Sequence, residues 1–427
     1  MGSARMRGGV SLPLAFEGFS RPFEALPLPS RLTLPLIQDE GGVLEPRVKK
    51  NETVRAGQII AENPRPHMAA LHAPAAGKVV EIVSSFRDLR GRAVPAVVIE
   101  PDGTPAQAEA PAADADPVSS AAARGLVDFD RRTPPLASKL NDALGRGIET
   151  LIVNALDQEP FLFSRGRLLK EEGEAVRRGI ASLRALLSPG KTVLVVESRV
   201  PAVRDAAKAM AGEAAYVFPL ANRYPQAAPR MIARAVLGAE IPYTAGVTVA
   251  DFGGLIVDVE AAAALGREGP LTERFLTVSD GRGRRHNVRV ALGTPIGEIL
   301  EHVGIPPAPG GKIIAGGPMS GLAAADPGLP VTKETTGVFV QGPSEVIRPA
   351  DAVCIKCGLC VEKCPMRLMP FLIAGFSEKC RFDDAERHDL FACIECGCCA
   401  YLCPVGIPLL QFIRFGKQQI LARRNAA

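Results

Sequence analysis

Ten cysteines fall between Cys354 and Cys403, and the 353 residues before them contain none. Eight of them repeat one spacing. Cys354, Cys357, Cys360 and Cys364 precede Pro365; Cys393, Cys396, Cys399 and Cys403 precede Pro404. Two steps of three, one of four and a closing proline form the pattern of a two-cluster [4Fe–4S] ferredoxin. A cubane needs four thiolates around its iron corners. Three closely spaced cysteines wrap a short loop round one face, and the fourth, on a following helix, reaches the other cluster. Proline fixes φ where that helix starts. The expected ligand sets are therefore Cys354, Cys357, Cys360 and Cys403 for one cluster, and Cys364, Cys393, Cys396 and Cys399 for the other. Two zinc sites are the competing reading, but tetrahedral zinc does not ask for this spacing closed by a proline.

The 28 residues between Cys364 and Cys393 are long for a small ferredoxin. They contain the helix-like runs "MRLMPFLIAGFSEKC" and "DDAERHDLFA", so an all-helical two-cluster domain is expected. Cys398, directly before Cys399, reads as a spectator thiol, and Cys380 as a helix cysteine without a role. Ten cysteines crowded into one region at ligand spacing imply metal in a reducing compartment.

The elements that must carry these loops fill a chain of 427 residues, enough for several domains. With 47% hydrophobic residues and a net charge of only +4, it should bury real cores. No basic stripe interleaved with aromatics suggests nucleic acid. No apolar run approaches the roughly 18–20 residues of a membrane span. The first thirty residues hold Arg5, Arg7, Glu17 and Glu24 without a signal-like apolar core. The chain is therefore expected to stay where it is made and to meet a membrane only through a partner. The opening "MGSARMRGG" is given no function.

Residues 1–102 read as short strands of a barrel, with Lys78 in "LHAPAAGKVVEIV" an ordinary surface lysine rather than a carrier. Residues 103–123, rich in Ala, Pro and Asp, read as a linker. Residues 124–270 alternate buried strands with helices, as in a parallel sheet covered on both faces. Residues 271–340 return to short strands with one helix, a β-grasp-like insert. "GRGRRH" at 281–286 reads as a basic hairpin turn, and residues 341–427 as helices and cysteine loops. His67 and His72, near the barrel hairpin, read as lone surface histidines.

Several stretches together resemble one family: "LHAPAAGKVVEI", "TLIVNALDQEP", "NRYPQAAPRMIARAVLG", "GGPMSGLA", "PVTKETTGV" and "CIECGCCAYLCPVGIPLLQFIRFGK". From about residue 8 onward the chain resembles the RnfC subunits of Rnf electron-transport complexes. The resemblance implies an N-terminal barrel-sandwich hybrid and a Rossmann-like middle domain similar to the NADH- and FMN-binding subunit of respiratory complex I. It also implies electron transfer from NADH through FMN and two clusters to membrane-bound partners, or the reverse.

The departures from the family fall at the flavin. Its glycine-rich loop and following lysine correspond here to "DFDRRTPPLASK" at 128–139, which has no glycine. Glycines let backbone N–H groups approach a phosphate, whereas two prolines remove such donors. Asp128 and Asp130 add negative charge, against Arg131, Arg132 and Lys139. The next family motif is reduced to Asn154, with Glu159 and Pro160 beyond it. Asp258 stands where the family has asparagine, and Ala227 and Ala228 follow "YPQ" where it has glycine. The middle domain is therefore expected to keep its fold without tight FMN or NADH binding, and no catalytic residue is assigned.

The reading is a peripheral iron–sulfur subunit on the cytoplasmic side of a membrane redox complex, serving a ferredoxin-like or cytochrome partner. An FMN-containing NADH dehydrogenase subunit with a rebuilt flavin site, and a soluble reductase for a cobalamin-type enzyme, are the alternatives.

Overall fold

The structure is a computed structural model that describes residues 6–12, 19–105, 116–130, 133–221, 223–243, 246–347 and 353–426. Strands Tyr216–Leu220, Lys191–Glu197, Thr150–Asn154 and Gly254–Asp258 lie side by side in that order, all parallel. Their side chains alternate between two cores, as strand geometry requires. Leu151, Val153, Leu194, Val196, Leu255 and Val257 face one core, while Ile152, Val193, Val195 and Ile256 face the other. Continuous apolar strands of this kind need helices on both faces.

One of these helices, Val259–Gly266, is half alanine because its neighbour Gly173–Leu187 lies almost against it. A Cβ at Gly179 would stand 1.8 Å from the Ala262 carbonyl oxygen, and one at Gly266 would stand 1.9 Å from that of Ala175. Gly179→Ala should therefore cost at least about 1–3 kcal/mol, read as a lower urea midpoint. An unchanged midpoint would mean that the two helices are free to separate.

Beside this layer stand two further sheet systems. One pairs Leu32–Pro35, Ala93–Pro105, Ala75–Arg87 and Thr53–Val54, with a second sheet of Glu45–Pro46, Ile59–Glu62 and Leu71–His72. Lys78 is exposed within a strand, opposite Thr53 and Glu100, and not at a turn tip. The other system is a six-stranded sheet in the order Phe23–Ala25, Arg285–Ala291, Glu273–Asp280, Gly337–Gln341, Lys312–Ala315, Leu322–Ala324. Residues 281–284 form its hairpin turn, with Asp280 accepting from the N–H groups of Arg282 and Arg284.

Three features depart from the sequence reading. Strand Phe23–Ala25 lies early in the chain but joins the sheet of residues 273–341. Leu32, Leu34 and Ile99 share one core with Leu276, Val278 and Val338, so barrel and insert are not separate bodies. The stretch expected to be a linker contains the helix Pro117–Ala123, with Val118 and Ala121 buried. Its small residues hid the periodicity, but Asp116 caps it by accepting from the N–H groups of Val118 and Ser119.

His72 is a further correction. Only 3% of it is exposed, and burial with Lys333 nearby lowers its pKa to about 3. An unfolded histidine titrates near 6.5. The unfolded chain therefore binds the proton first, and stability present above pH 6.5 is lost as pH falls toward 3. The expected slope is about 1.4 kcal/mol per pH unit in that window. His72→Gln should flatten it in acid unfolding titrations, and an unaltered slope would exclude His72 as the source.

Candidate iron–sulfur centre

The two cysteine loops have matching backbones. Lys356 and Glu395, at equivalent positions, have φ of 56° and 55°. Gly358 and Gly397 have 78° and 76°, and Arg367 and Gly406 have 57° and 69°. Left-handed residues at fixed intervals curl each loop into a cup and turn its N–H groups toward the thiols. Leu368 N–H reaches Cys364 Sγ at 3.4 Å, and Ile407 N–H reaches Cys403 Sγ at the same distance. Glu395 N–H reaches Cys393 Sγ at 3.3 Å. Such bonds favour thiolate over thiol.

Cys364, Cys393, Cys396 and Cys399 line one apolar pocket with Leu368, Ile373, Leu410 and Ile413. Burial pushes the Cys393 thiol up to about 12 and raises Cys399 as well, so these groups need a bound cation to ionise at neutral pH. The other set is open: Cys354 and Cys357 are exposed, and Cys360 and Cys403 half-buried. Cys354 and Cys357 lie close enough to Cys360 to raise its pKa further, after burial. Cys403 packs on the same helical core as Cys360. Among the described residues, no three His, Cys, Asp or Glu side chains are gathered as one metal ion would require. The first set is thus the more buried, with Cys396 and Cys399 buried and Cys364 and Cys393 half-buried, while the other faces outward through Cys354 and Cys357. Cys398 is buried beside Val10 and Tyr224. Cys380 is exposed at φ 55°, beyond the end of helix Pro370–Glu378 rather than inside it.

Residues far away in sequence hold the inner loop. The Tyr224 hydroxyl lies 2.6 Å from the Cys396 carbonyl oxygen and 2.9 Å from Glu159 Oε1. Glu159 also accepts from the N–H groups of Met319 and Ser320 and from the Ser320 hydroxyl. Arg414 donates to the Ser320 carbonyl at 2.6 Å and pairs with Glu395. Lys417 donates to the Cys393 carbonyl at 2.6 Å and pairs with Glu395 as well. Gly397 is required because a Cβ there would stand 2.2 Å from the Met319 carbonyl. The N-terminal run crosses the same surface: Gly9 N–H donates to Lys363 O and Val10 N–H to Tyr224 O. Of the opening run given no function on sequence grounds, the described residues 6–9 are part of the site's wall, and residues 1–5 lie outside the described residues.

At the carboxyl ends of the parallel strands, where open α/β sheets bind ligands, side chains satisfy one another. Asp128 pairs with Lys139 and accepts from the Asp258 N–H at 2.8 Å. Asp258 pairs with Arg165 at 2.5 Å, and Arg165 also donates to the Phe129 carbonyl. Arg274 pairs with Glu260 at 3.2 Å and lies over the Phe129 ring. Asn154 is taken up by Leu156 N–H and the Ala227 carbonyl. Arg131 and Arg132 lie outside the described residues.

Three family models match this chain: the RnfC barrel sandwich hybrid domain over residues 4–104, the Nuo51 FMN-binding domain over 122–267, and the 4Fe-4S dicluster domain over 353–407. An ion-translocating oxidoreductase complex subunit of Rhodobacter capsulatus, the one lettered C, is 33% identical over 94% of this chain and 80% of its own length. The chain belongs to the RnfC family. The same-named protein of Pseudomonas aeruginosa is 34% identical over 98% of this chain, which spans 56% of that relative. That of Serratia proteamaculans is 32% identical over 97% of this chain and 61% of its own. A solved NAD+-reducing [NiFe]-hydrogenase, in the air-oxidised state, is similar at 15% identity with a TM-score of 0.45, over 63% of this chain and 53% of the hydrogenase chain.

Within this RnfC-family chain the eight thiols, the N–H···S bonds and the apolar pocket fit the iron–sulfur clusters that the dicluster domain implies. The Nuo51-type domain is present, but its described residues do not fit a flavin phosphate. Its lysine and the N–H at the head of helix Val259–Gly266 are already held by Asp128. Sequence reading missed Tyr224, Arg414 and Lys417. Tyr224, one of four tyrosines, stood in a quoted family stretch, and that was its only signal. Tyr224→Phe should cost about 1–2 kcal/mol and shift the reduction potential of the inner cluster alone. Redox titration followed by paramagnetic resonance checks this, and equal potentials in both proteins would leave Tyr224 a mere brace.

Proposed function

We propose that this chain is the iron–sulfur electron-transfer subunit of an Rnf-type ion-translocating oxidoreductase complex. The observation that carries the reading is the pairing of one enclosed thiol set with one open set on the same helical core. Cys364, Cys393, Cys396 and Cys399 would hold the inner cluster, and Cys354, Cys357, Cys360 and Cys403 the outer. When bound, the clusters supply one-electron transfer. The protein's part is to donate N–H bonds to the sulfurs of Cys364, Cys393 and Cys403, to line the inner set with Leu410 and Ile413, and to leave the outer set open to a partner. Other subunits of the complex, with a ferredoxin-like or cytochrome electron partner, supply that partner on the cytoplasmic side of the membrane. Among the described residues no helix is long and apolar enough to cross a membrane, so attachment runs through those subunits.

The finer architecture belongs to the same reading. It comprises a lipoyl-like barrel without a carrier lysine (1–102), a degenerate FMN/NADH-type α/β domain (124–270), a β-grasp-like domain (271–340) and a helical ferredoxin domain (341–427). The α/β domain serves as scaffold without its own flavin. Purified, reconstituted protein should contain about eight iron and about eight sulfide per chain and no stoichiometric flavin. The match to an FMN-binding domain favours a second reading, an NADH dehydrogenase subunit. Bound flavin with NADH-dependent bleaching of the clusters would establish that one instead.

A further inference from the structure

We infer that Asp128 is a built-in anion occupying the seat in which this type of domain would hold a phosphate. The inference rests on the flavin-free reading above. The seat is made of three groups. Lys139 supplies a cation whose side chain is 20% exposed. Asp258 supplies a backbone N–H at the start of helix Val259–Gly266, 2.8 Å from Asp128 Oδ1. Asp128 itself, 1% exposed, places one carboxylate oxygen on each donor.

A lysine and a helix-start amide converging on two oxygens is the donor set that binds phosphate groups. Here the oxygens come from the chain. The loop explains how: the Asp128 N–H bonds to the Pro134 carbonyl and the Leu136 N–H to the Leu126 carbonyl. These bonds hold Leu126 and Asp128 against Pro134 and Leu136, with the Asp128 side chain buried.

Charge bookkeeping points the same way. Among the described residues each cation beside the seat already has carboxylate partners: Lys139 has Asp128 and Asp130, Arg165 has Asp258, and Arg274 has Glu260. Among the described residues three cations here already face four carboxylates, Asp130 among them at 3.9 Å from Lys139, and a phosphate entering this arrangement would add two more negative charges. Removing the Asp128 carboxylate frees one lysine and one N–H together. The seat then becomes a site for a phosphate-type anion, with FMN and inorganic phosphate as the two sources to distinguish.

The test uses the full chain with reconstituted clusters. Wild type, Asp128→Ala, Asp128→Asn and the double variant Asp128→Ala/Lys139→Met are titrated with inorganic phosphate against chloride at equal ionic strength, by calorimetry and thermal shift. Asp128→Ala should bind phosphate about ten- to a hundredfold more tightly than wild type, and the Lys139→Met change should remove the gain. Should Asp128→Ala unfold in phosphate-free buffer, selective rescue by phosphate is the same result. A folded variant with wild-type phosphate response, or an unfolded one that phosphate does not rescue, overturns the inference. A second titration with FMN separates the sources: binding of FMN by Asp128→Ala supports a flavin ancestry of the seat, and binding of phosphate alone supports a bare anion seat. Flavin in the wild-type preparation overturns the flavin-free reading itself, whatever the variants do.

Discussion

Replacing Cys399 with serine should remove about half the iron, roughly four of eight atoms per chain, and leave the outer cluster's spectrum intact. Cys399 lines the inner pocket with the other three thiols of its set, and it packs in the core of the helical region with Leu409 and Ile413. Loss of the inner cluster should therefore also loosen the helices Pro370–Glu378 and Leu409–Ala426, which enclose that pocket. Iron analysis and paramagnetic resonance of the reduced protein read the first effect, and hydrogen exchange the second. Cys398→Ser is the control. Its side chain also touches the pocket but sits against Val10 and Tyr224, and the iron content should stay at the wild-type level. Should Cys398→Ser lose the iron instead, the loop is registered one residue earlier than the spacing implies, and the inner ligand set is wrong.

Arg165→Met should be the most damaging single change outside the cysteines, costing about 3–5 kcal/mol. Arg165 and Asp258 are 4% and 2% exposed, and they meet at 2.5 Å. The guanidinium also donates to the Phe129 carbonyl at 2.6 Å. Methionine fills the space but leaves a carboxylate without its cation at the start of helix Val259–Gly266. Removing both charges, as Arg165→Met/Asp258→Asn, should recover part of the loss, because a buried pair is poor evidence of net stability while half a pair is a defect. Urea denaturation of the three variants measures the coupling. If the double variant is as unstable as the sum of the singles, the two residues act independently and their pairing is not what holds the loop.

What the sequence made legible was local. The cysteine steps exposed the cluster chemistry because a ligand loop is contiguous in sequence. The parallel strands showed as apolar runs because burial on both faces leaves no alternation to hide them. Asp128 was legible as a departure from a family loop and Lys139 as that loop's lysine, but their pairing was not, since it depends on backbone bonds such as that from the Asp128 N–H to the Pro134 carbonyl. The braces of the inner cluster were illegible for a different reason. Tyr224 touches Cys396 across 172 positions and Glu159 touches Ser320 across 161, and no spacing rule reaches that far. His72 looked like a surface residue because of its polar ring, although its neighbours Ala70, Leu71 and Ala73 are apolar and buried. The strand it sits on, Leu71–His72, is covered by Lys333 from the opposite end of the chain. The shared core of barrel and insert escaped notice because each set of strands alternates convincingly by itself.

The contact between Gly9 and Lys363 bears on how the protein is made. Chains emerge from the ribosome N-terminus first, so the run from Met6 to Val10 is synthesised early and has nothing to lie on. Its resting place, formed by Tyr224 and the loop ending at Cys364, is complete only after Cys364 has also been released. Closure of that wall is thus a late event in the life of the molecule. The cover that Val10 and Tyr224 give to Cys396 and Cys398 therefore joins segments made far apart in time.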